Sequence, residues 1–181
     1  MVFLVLASVF IPAPVLAANE IDIHPGWNFV SVPRVLAQGY NMAGVLFAGV
    51  DMAHHSVFLY NSQTHLFDQV HAGDVIKPLD GIWVYSASTV VIPLQFDTSP
   101  ATPPQKQLYP GWNAIGSSES AAISAQNAFL NIRDDWVKAV GYDSVMQAYE
   151  PAIFNTNPSY QEDIEPAKGY WLLMNDAGVL A

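Results

Sequence analysis

The sequence predicts a mainly β protein: two tandem small modules, each β-sandwich or barrel-like and each carrying one short helix. Three observations predict this. The corner His24-Pro25-Gly26-Trp27-Asn28-Phe29 returns as Tyr109-Pro110-Gly111-Trp112-Asn113-Ala114. Two further anchors return in the same order: Leu59-Tyr60-Asn61-Ser62 as Gly141-Tyr142-Asp143-Ser144, and Ile76-Lys77-Pro78-Leu79-Asp80-Gly81-Ile82-Trp83-Val84 as Ile164-Glu165-Pro166-Ala167-Lys168-Gly169-Tyr170-Trp171-Leu172. Short apolar runs bounded by Pro, Gly, Asn and Asp fill both copies, as strands and their turns require.

Residues 1–18 carry no charge, and Val2 to Phe10 form an apolar run followed by Pro12, Pro14 and Val15-Leu16-Ala17-Ala18. This has the shape of a signal-peptide core with a small-residue cleavage site, although no Lys or Arg precedes the run. A weak retained anchor and a buried helix are the other readings. The first module is expected over 19–96 and the second over 105–181. Residues 97–104, Asp97-Thr98-Ser99-Pro100-Ala101-Thr102-Pro103-Pro104, read as a short stiff linker.

Within each module a strand (Ile21 to Ile23, Gln107 to Tyr109) meets a Pro-Gly corner and a second strand (Trp27 to Val32, Trp112 to Gly116). Proline supplies a fixed φ and glycine a permissive one. A short helix follows, capped by Asn41 with Met42, Val45 and Leu46 inward in the first copy. In the second it is capped by Ser124 with Ala128, Phe129 and Ile132 inward. Paired strands come next, Ser56 to Tyr60 with His65 to Val70 and Ala139 to Tyr142 with Gln147 to Tyr149. The expected closing hairpins are Gly81 to Tyr85 with Val90 to Ile92, and Gly169 to Leu173 with Val179 and Leu180.

Composition excludes several function classes. Sixteen acidic residues against six basic ones give a formal net charge of -10, so a phosphate backbone would be repelled and nucleic acid is not an expected partner. The absence of cysteine removes disulfides, thiolate nucleophiles and thiolate metal sites together.

The residues shared by both copies are Trp, Tyr, Gly, Pro and Asn, which fill cores and set corners. Trp27, Trp83, Trp112 and Trp171 are read as core side chains; the competing reading is an aromatic platform for sugars with one ring face open. Asn28 and Asn113 are expected to bond nearby backbone and fix the corner. The histidines His24, His54, His55, His65 and His71 all fall in the first copy, but adjacent His54 and His55 would point to opposite faces of a strand. Asp134-Asp135 and Glu162-Asp163-Glu165 lack calcium-loop spacing and read as solvated faces. No catalytic, cofactor-binding or metal residue is therefore assigned, and no cofactor is expected.

The Pro-Gly-Trp-Asn opening, the central aromatic strand pair and the Gly-Tyr-Trp closing together resemble a module recurrent in bacterial and archaeal surface and secreted proteins. The second copy is similar to it from Leu108 to Leu180; the first departs at Ile82, where Tyr is usual, and has longer loops. The resemblance implies an extracellular β-rich module without catalytic residues. The expected function is a non-catalytic, self-assembling subunit of a surface layer, sheath or filament. The alternative is a carbohydrate- or protein-binding adhesion module. Expected partners are further copies, other cell-surface proteins or carbohydrate, with no stable transmembrane span once a leader is removed.

Overall fold

The computed structural model describes residues 19–52, 56–156 and 162–181. The leader-like segment 1–18 and His54 and His55 lie outside the described residues. The fold is mainly β, with one-turn helices and several antiparallel sheets.

The N-terminal half runs β1 (Glu20–Ile23), β2 (Gly26–Ser31), α1 (Ala43–Leu46), β3 (Val57–Asn61), β4 (Leu66–Gln69), β5 (Gly81–Ser86) and β6 (Val90–Pro93). Its main sheet has the order β2-β5-β3-β4, and β1 pairs with β6 in a separate ribbon. The C-terminal half runs β7 (Lys106–Leu108), β8 (Gly111–Ile115), β9 (Ile123–Ser124), α2 (Ala125–Ala128), a 3-10 turn (Leu130–Ile132), β10 (Trp136–Asp143), β11 (Ala148–Tyr149), β12 (Ile153–Phe154), β13 (Asp163–Ile164), β14 (Tyr170–Met174) and β15 (Gly178–Leu180). Its main sheet has the order β11-β10-β14-β8, with β12 also on β10, while β7 pairs with β15 and β9 with β13.

Two local expectations are corrected. The closing hairpins do not form, because β6 and β15 leave the main sheets to pair with the first strand of their own half. Burial explains the choice: Ile21, Ile23 and Ile92 of the first ribbon close over Val30, Val57, Ile82 and Val84 of the sheet. The first helix starts after Met42, not Asn41, and has no side-chain cap. The Asn41 carbonyl instead accepts the Ile76 amide at 2.8 Å. A single turn presents only positions i and i+3 inward, so Ala43 and Leu46 are buried and Val45 is exposed. In the second half Ser124 does precede α2, without a capping bond, and Phe129 and Ile132 are buried as expected.

The corners behave as their residues require. Gly26 and Gly111 adopt φ of 99° and 92°, open to glycine and strained for other residues. Asn28 Oδ1 accepts the His24 amide at 2.8 Å, and Asn113 Oδ1 accepts the Tyr109 amide at 3.0 Å. Each Asn Nδ2 donates back to the carbonyls of the same turn.

Strand alternation gives each main sheet two unlike faces. Val30, Ile82 and Val84 point to the aliphatic core of the first half, while Phe29 and Trp83 point the other way with Phe58 and Tyr60. The second half repeats this, with Ile115, Tyr170 and Leu172 inward and Ala114, Trp171 and Tyr142 outward. None of the four repeated tryptophans packs in the aliphatic core of its own half, although Trp83 is buried, as expected, in a third cluster with Phe29 and Ala114. Trp27 is 38% exposed, Trp112 and Trp171 are half-buried, and Trp83 is buried between the halves. The reason is parity: Trp27 shares its face with Phe29, and the β-branched and aliphatic residues of opposite parity take the interior. The tryptophan that does fill a core is Trp136, against Phe129.

The aromatic faces meet at a seam whose contacts are reciprocal. The Ser31 amide donates to the Ala167 carbonyl at 2.9 Å, and the Gly116 amide donates to the Leu79 carbonyl at 2.9 Å. Val30 bridges Lys168, and Asp80 bridges Ile115. The repeat equates Ser31 with Gly116, Leu79 with Ala167, Val30 with Ile115 and Asp80 with Lys168, so each half offers the other the same pair of edges, as an isologous contact does. Leu79 and Ala167 both hold positive φ, 67° and 60°, in the turns that aim these carbonyls across the seam. The glycines that follow are forced by closeness: a Cβ on Gly81 would lie 2.8 Å from the Ile115 nitrogen, and one on Gly169 would lie 2.5 Å from the Phe29 ring.

Candidate functional site

The aromatic faces cover one another incompletely and leave two clefts. In the first, of about 600 Å³, Trp27, Phe58 and Trp83 of the N-terminal sheet face Tyr142, Gln147 and Tyr149 of the C-terminal sheet. The second, of about 450 Å³, is formed by Trp112, Val140 and Trp171 facing Tyr60, with Lys138 and Tyr149 at its sides. The repeat equates Trp27 with Trp112, Phe58 with Val140, Trp83 with Trp171, and Tyr142 with Tyr60. Corresponding positions thus line both clefts.

Ring geometry matches in the same way. Trp83 meets Tyr142 and Trp171 meets Tyr60 edge-on, each at 4.9 Å between centroids. Trp83 meets Tyr149 at 6.3 Å and Trp171 meets Phe67 at 6.1 Å, again edge-on. Phe29, which has Ala114 as its counterpart, stacks on Trp83 at 4.5 Å and contacts Trp171 at 5.4 Å. Edge-to-face and offset contacts place electron-poor ring edges against electron-rich faces, which fixes each ring's orientation.

Three features distinguish the clefts. Gln147, held in the left-handed region at φ 53°, accepts the Trp27 amide at 2.8 Å through Oε1 and donates to the Trp27 carbonyl at 2.9 Å through Nε2. Its counterpart His65, at φ 59°, instead places Nδ1 3.1 Å from the Tyr60 hydroxyl. Tyr85, opposite Trp27 on the neighbouring strand and 5.3 Å from its ring, extends the first cleft with another exposed aromatic; Leu173 stands opposite Trp112. Finally, Lys138 carries its ammonium 5.4 Å from the Trp112 ring centre and 5.9 Å from that of Phe154. Partial burial, then the nearby Tyr149 and Asp143, raises the pKa of Tyr142, so its hydroxyl stays protonated and can donate a hydrogen bond.

The acidic residues are elsewhere. Glu20, Asp22, Asp143, Glu150 and Glu165 surround a polar cleft of about 460 Å³ at another part of the seam, where Lys168 pairs with Glu150 and Glu165. Asp134 is exposed beside Arg133, and Asp163 lies in β13. Of the described histidines, His24 lies at the first corner, His65 at a hairpin turn and His71 on the surface 3.6 Å from Asp74. Among the described residues no three His, Asp or Glu side chains converge as metal ligands do, and no helix is long and apolar enough to cross a membrane.

Phe58 and Lys138 line the clefts and were not singled out by sequence reasoning, in which Gln147 and Tyr149 figure as the ends of an expected strand and not as site residues. A signal for an aromatic face was present in β5: in Gly81-Ile82-Trp83-Val84-Tyr85 aliphatic and aromatic residues alternate, which gives the strand two faces of different chemistry. No family model matches the chain, and no curated protein or solved structure is found to be similar to it.

Proposed function

We propose that this is a non-catalytic, extracellular binding protein whose paired aromatic clefts hold carbohydrate. The observation that carries the reading is the presentation of Trp27 and Tyr149 as exposed rings in a cleft lined mostly by aromatic side chains with Gln147 and Ala148, and of Tyr85 as a further exposed ring against Trp27. Sugar rings have an apolar C–H face that stacks on such platforms, while flanking Tyr hydroxyls and amides meet the hydroxyl groups. Among the described residues no carboxylate, imidazole or amine lines this first cleft, which favours a binding reading over a catalytic one. Export is supported by the leader-like composition of residues 1–18, and the net charge of -10 argues against nucleic acid.

Calorimetric titration of the full chain with neutral β-linked oligosaccharides tests the reading. Saturable binding is expected, and Trp27→Ala is expected to weaken it about tenfold with little change in thermal stability. Absence of binding across hexose, xylose and N-acetylhexosamine oligomers would reject it.

Self-assembly is a second reading with its own support: Leu66, Val145 and Met146 are exposed at the hairpin ends beside the clefts. Concentration-dependent sedimentation that disappears in Met146→Lys would favour it. A monomer at all concentrations would count against it.

A further inference from the structure

We propose that the second cleft selects an acidic sugar, with the Lys138 ammonium donating to a uronate carboxylate whose ring stacks on the neighbouring indole. The proposal rests on the carbohydrate reading and assigns the two clefts different ligand chemistries. Lys106, Lys168 and Arg133 each meet a carboxylate, whereas Lys138 has aromatic rings as its neighbours and no carboxylate within salt-bridge reach among the described residues. An ammonium held beside ring faces, with no carboxylate taking up its donors, has them available for an incoming anion.

The repeat shows how this site differs from its counterpart. The position equivalent to Lys138 is Ser56, which is buried, with its hydroxyl donating to the Asp51 carbonyl at 2.5 Å. Tyr85 is replaced by Leu173, which pairs with both Lys138 and Trp112 across the sheet. The first cleft is therefore neutral and more aromatic, and the second has a single cation beside Trp112. An overall charge of -10 would repel a dense polyanion, but at physiological salt it is screened beyond about 8 Å, so one local cation can govern one carboxylate. The chemistry fits a glycan in which uronates alternate with neutral sugars.

The test is calorimetric titration of the full chain with a tetrasaccharide alternating glucuronate and N-acetylglucosamine, and with the same tetrasaccharide after reduction of its carboxyls to alcohols. The acidic form is expected to bind about tenfold more tightly, from one charge-assisted bond. Lys138→Met is expected to abolish that preference, and Lys138→Arg to keep most of it. Equal affinity for the two forms, or a preference that survives Lys138→Met, overturns the proposal. If neutral oligosaccharides bind in a Trp27-dependent way while neither tetrasaccharide does, this proposal alone fails; if no sugar binds, the carbohydrate reading fails with it.

Discussion

The two halves of the chain place corresponding residues at corresponding positions, yet they differ in the side chains that surround the seam and its clefts. Agreement is found at the corners, at the turns carrying Leu79 and Ala167, and at the glycines that let the sheets approach. Difference is found at Phe29 against Ala114, Tyr85 against Leu173, Ser56 against Lys138 and His65 against Gln147. The lesson is that backbone contacts across the seam form the shared frame, while side-chain changes around it give each cleft its chemistry.

The largest expected effect tests the asymmetric filling of the seam. Phe29 stacks on Trp83 and contacts Trp171, so Phe29→Ala should cost about 3–5 kcal/mol, read from the denaturant midpoint. A loss below about 1 kcal/mol would mean that the seam contributes little to stability.

The Ser31 and Gly116 pair tests reciprocity more directly. A Cβ on Gly116 would lie 1.6 Å from Ser31 Oγ and 2.3 Å from its Cβ, so rotation of the serine cannot relieve the clash. Gly116→Ser alone should cost about 1–3 kcal/mol by overpacking. Adding Ser31→Gly should recover most of that loss, because the exchanged pair places the same atoms on opposite sides of the seam. Strict additivity of the two substitutions, measured by a double-mutant cycle, would break the comparison.

Asn28→Ala and Asn113→Ala should each cost about 1–3 kcal/mol, since each leaves buried corner groups without a partner. The corner bonds themselves match, while Asn28 Nδ2 also donates to the Val84 carbonyl at 3.3 Å, so Asn28→Ala is expected to cost as much or slightly more; a clearly larger loss from Asn113→Ala in melting behaviour would show that the corners are not equivalent in stability.

The smallest effect concerns pH. Asp143 accepts the Val145 and Met146 amides, both at 2.8 Å, and the Met146 amide bond is the main cause that lowers its pKa below the ordinary aspartate range. A depressed carboxyl pKa contributes stability above the unfolded value, which is lost as pH falls through the folded one. Asn61 makes the same kind of turn bonds in the first half and does not titrate. Acid below about pH 4 should therefore perturb amide shifts at 145–146 before those at 63–64, and Asp143→Asn should remove the difference.

Much of the fold was legible in residue order. Most expected strands and both corners fall within a residue or two of their places, because Pro-Gly and Asn restrict the backbone locally and alternation marks a half-buried strand; β10 begins at Trp136, three residues before the expected Ala139, and the two-residue strands β9, β12 and β13 were not expected. Pairing partners were less legible: β6 and β15 join the distant β1 and β7, a choice made by which apolar faces can be covered together. The exposure of Trp27 was not legible for a related reason, and Trp83, buried as expected, fills the seam and not the core of its own half. Size and hydrophobicity favour burial, but Trp27 and Trp83 share a parity with Phe29 and Gly81, and that face meets the other half instead of the local core.

The sequence by itself determined the mainly β character, the corner chemistry and which positions recur, since all three follow from local backbone restriction and period-two patterning. Tertiary structure alone decided that Trp27 and Trp112 flank clefts and that Gln147 is clamped to the Trp27 backbone. The same holds for Lys138, which lies over rings instead of against a carboxylate. These depend on the apposition of two sheet faces from opposite ends of the chain, and sequence spacing carries no record of that geometry.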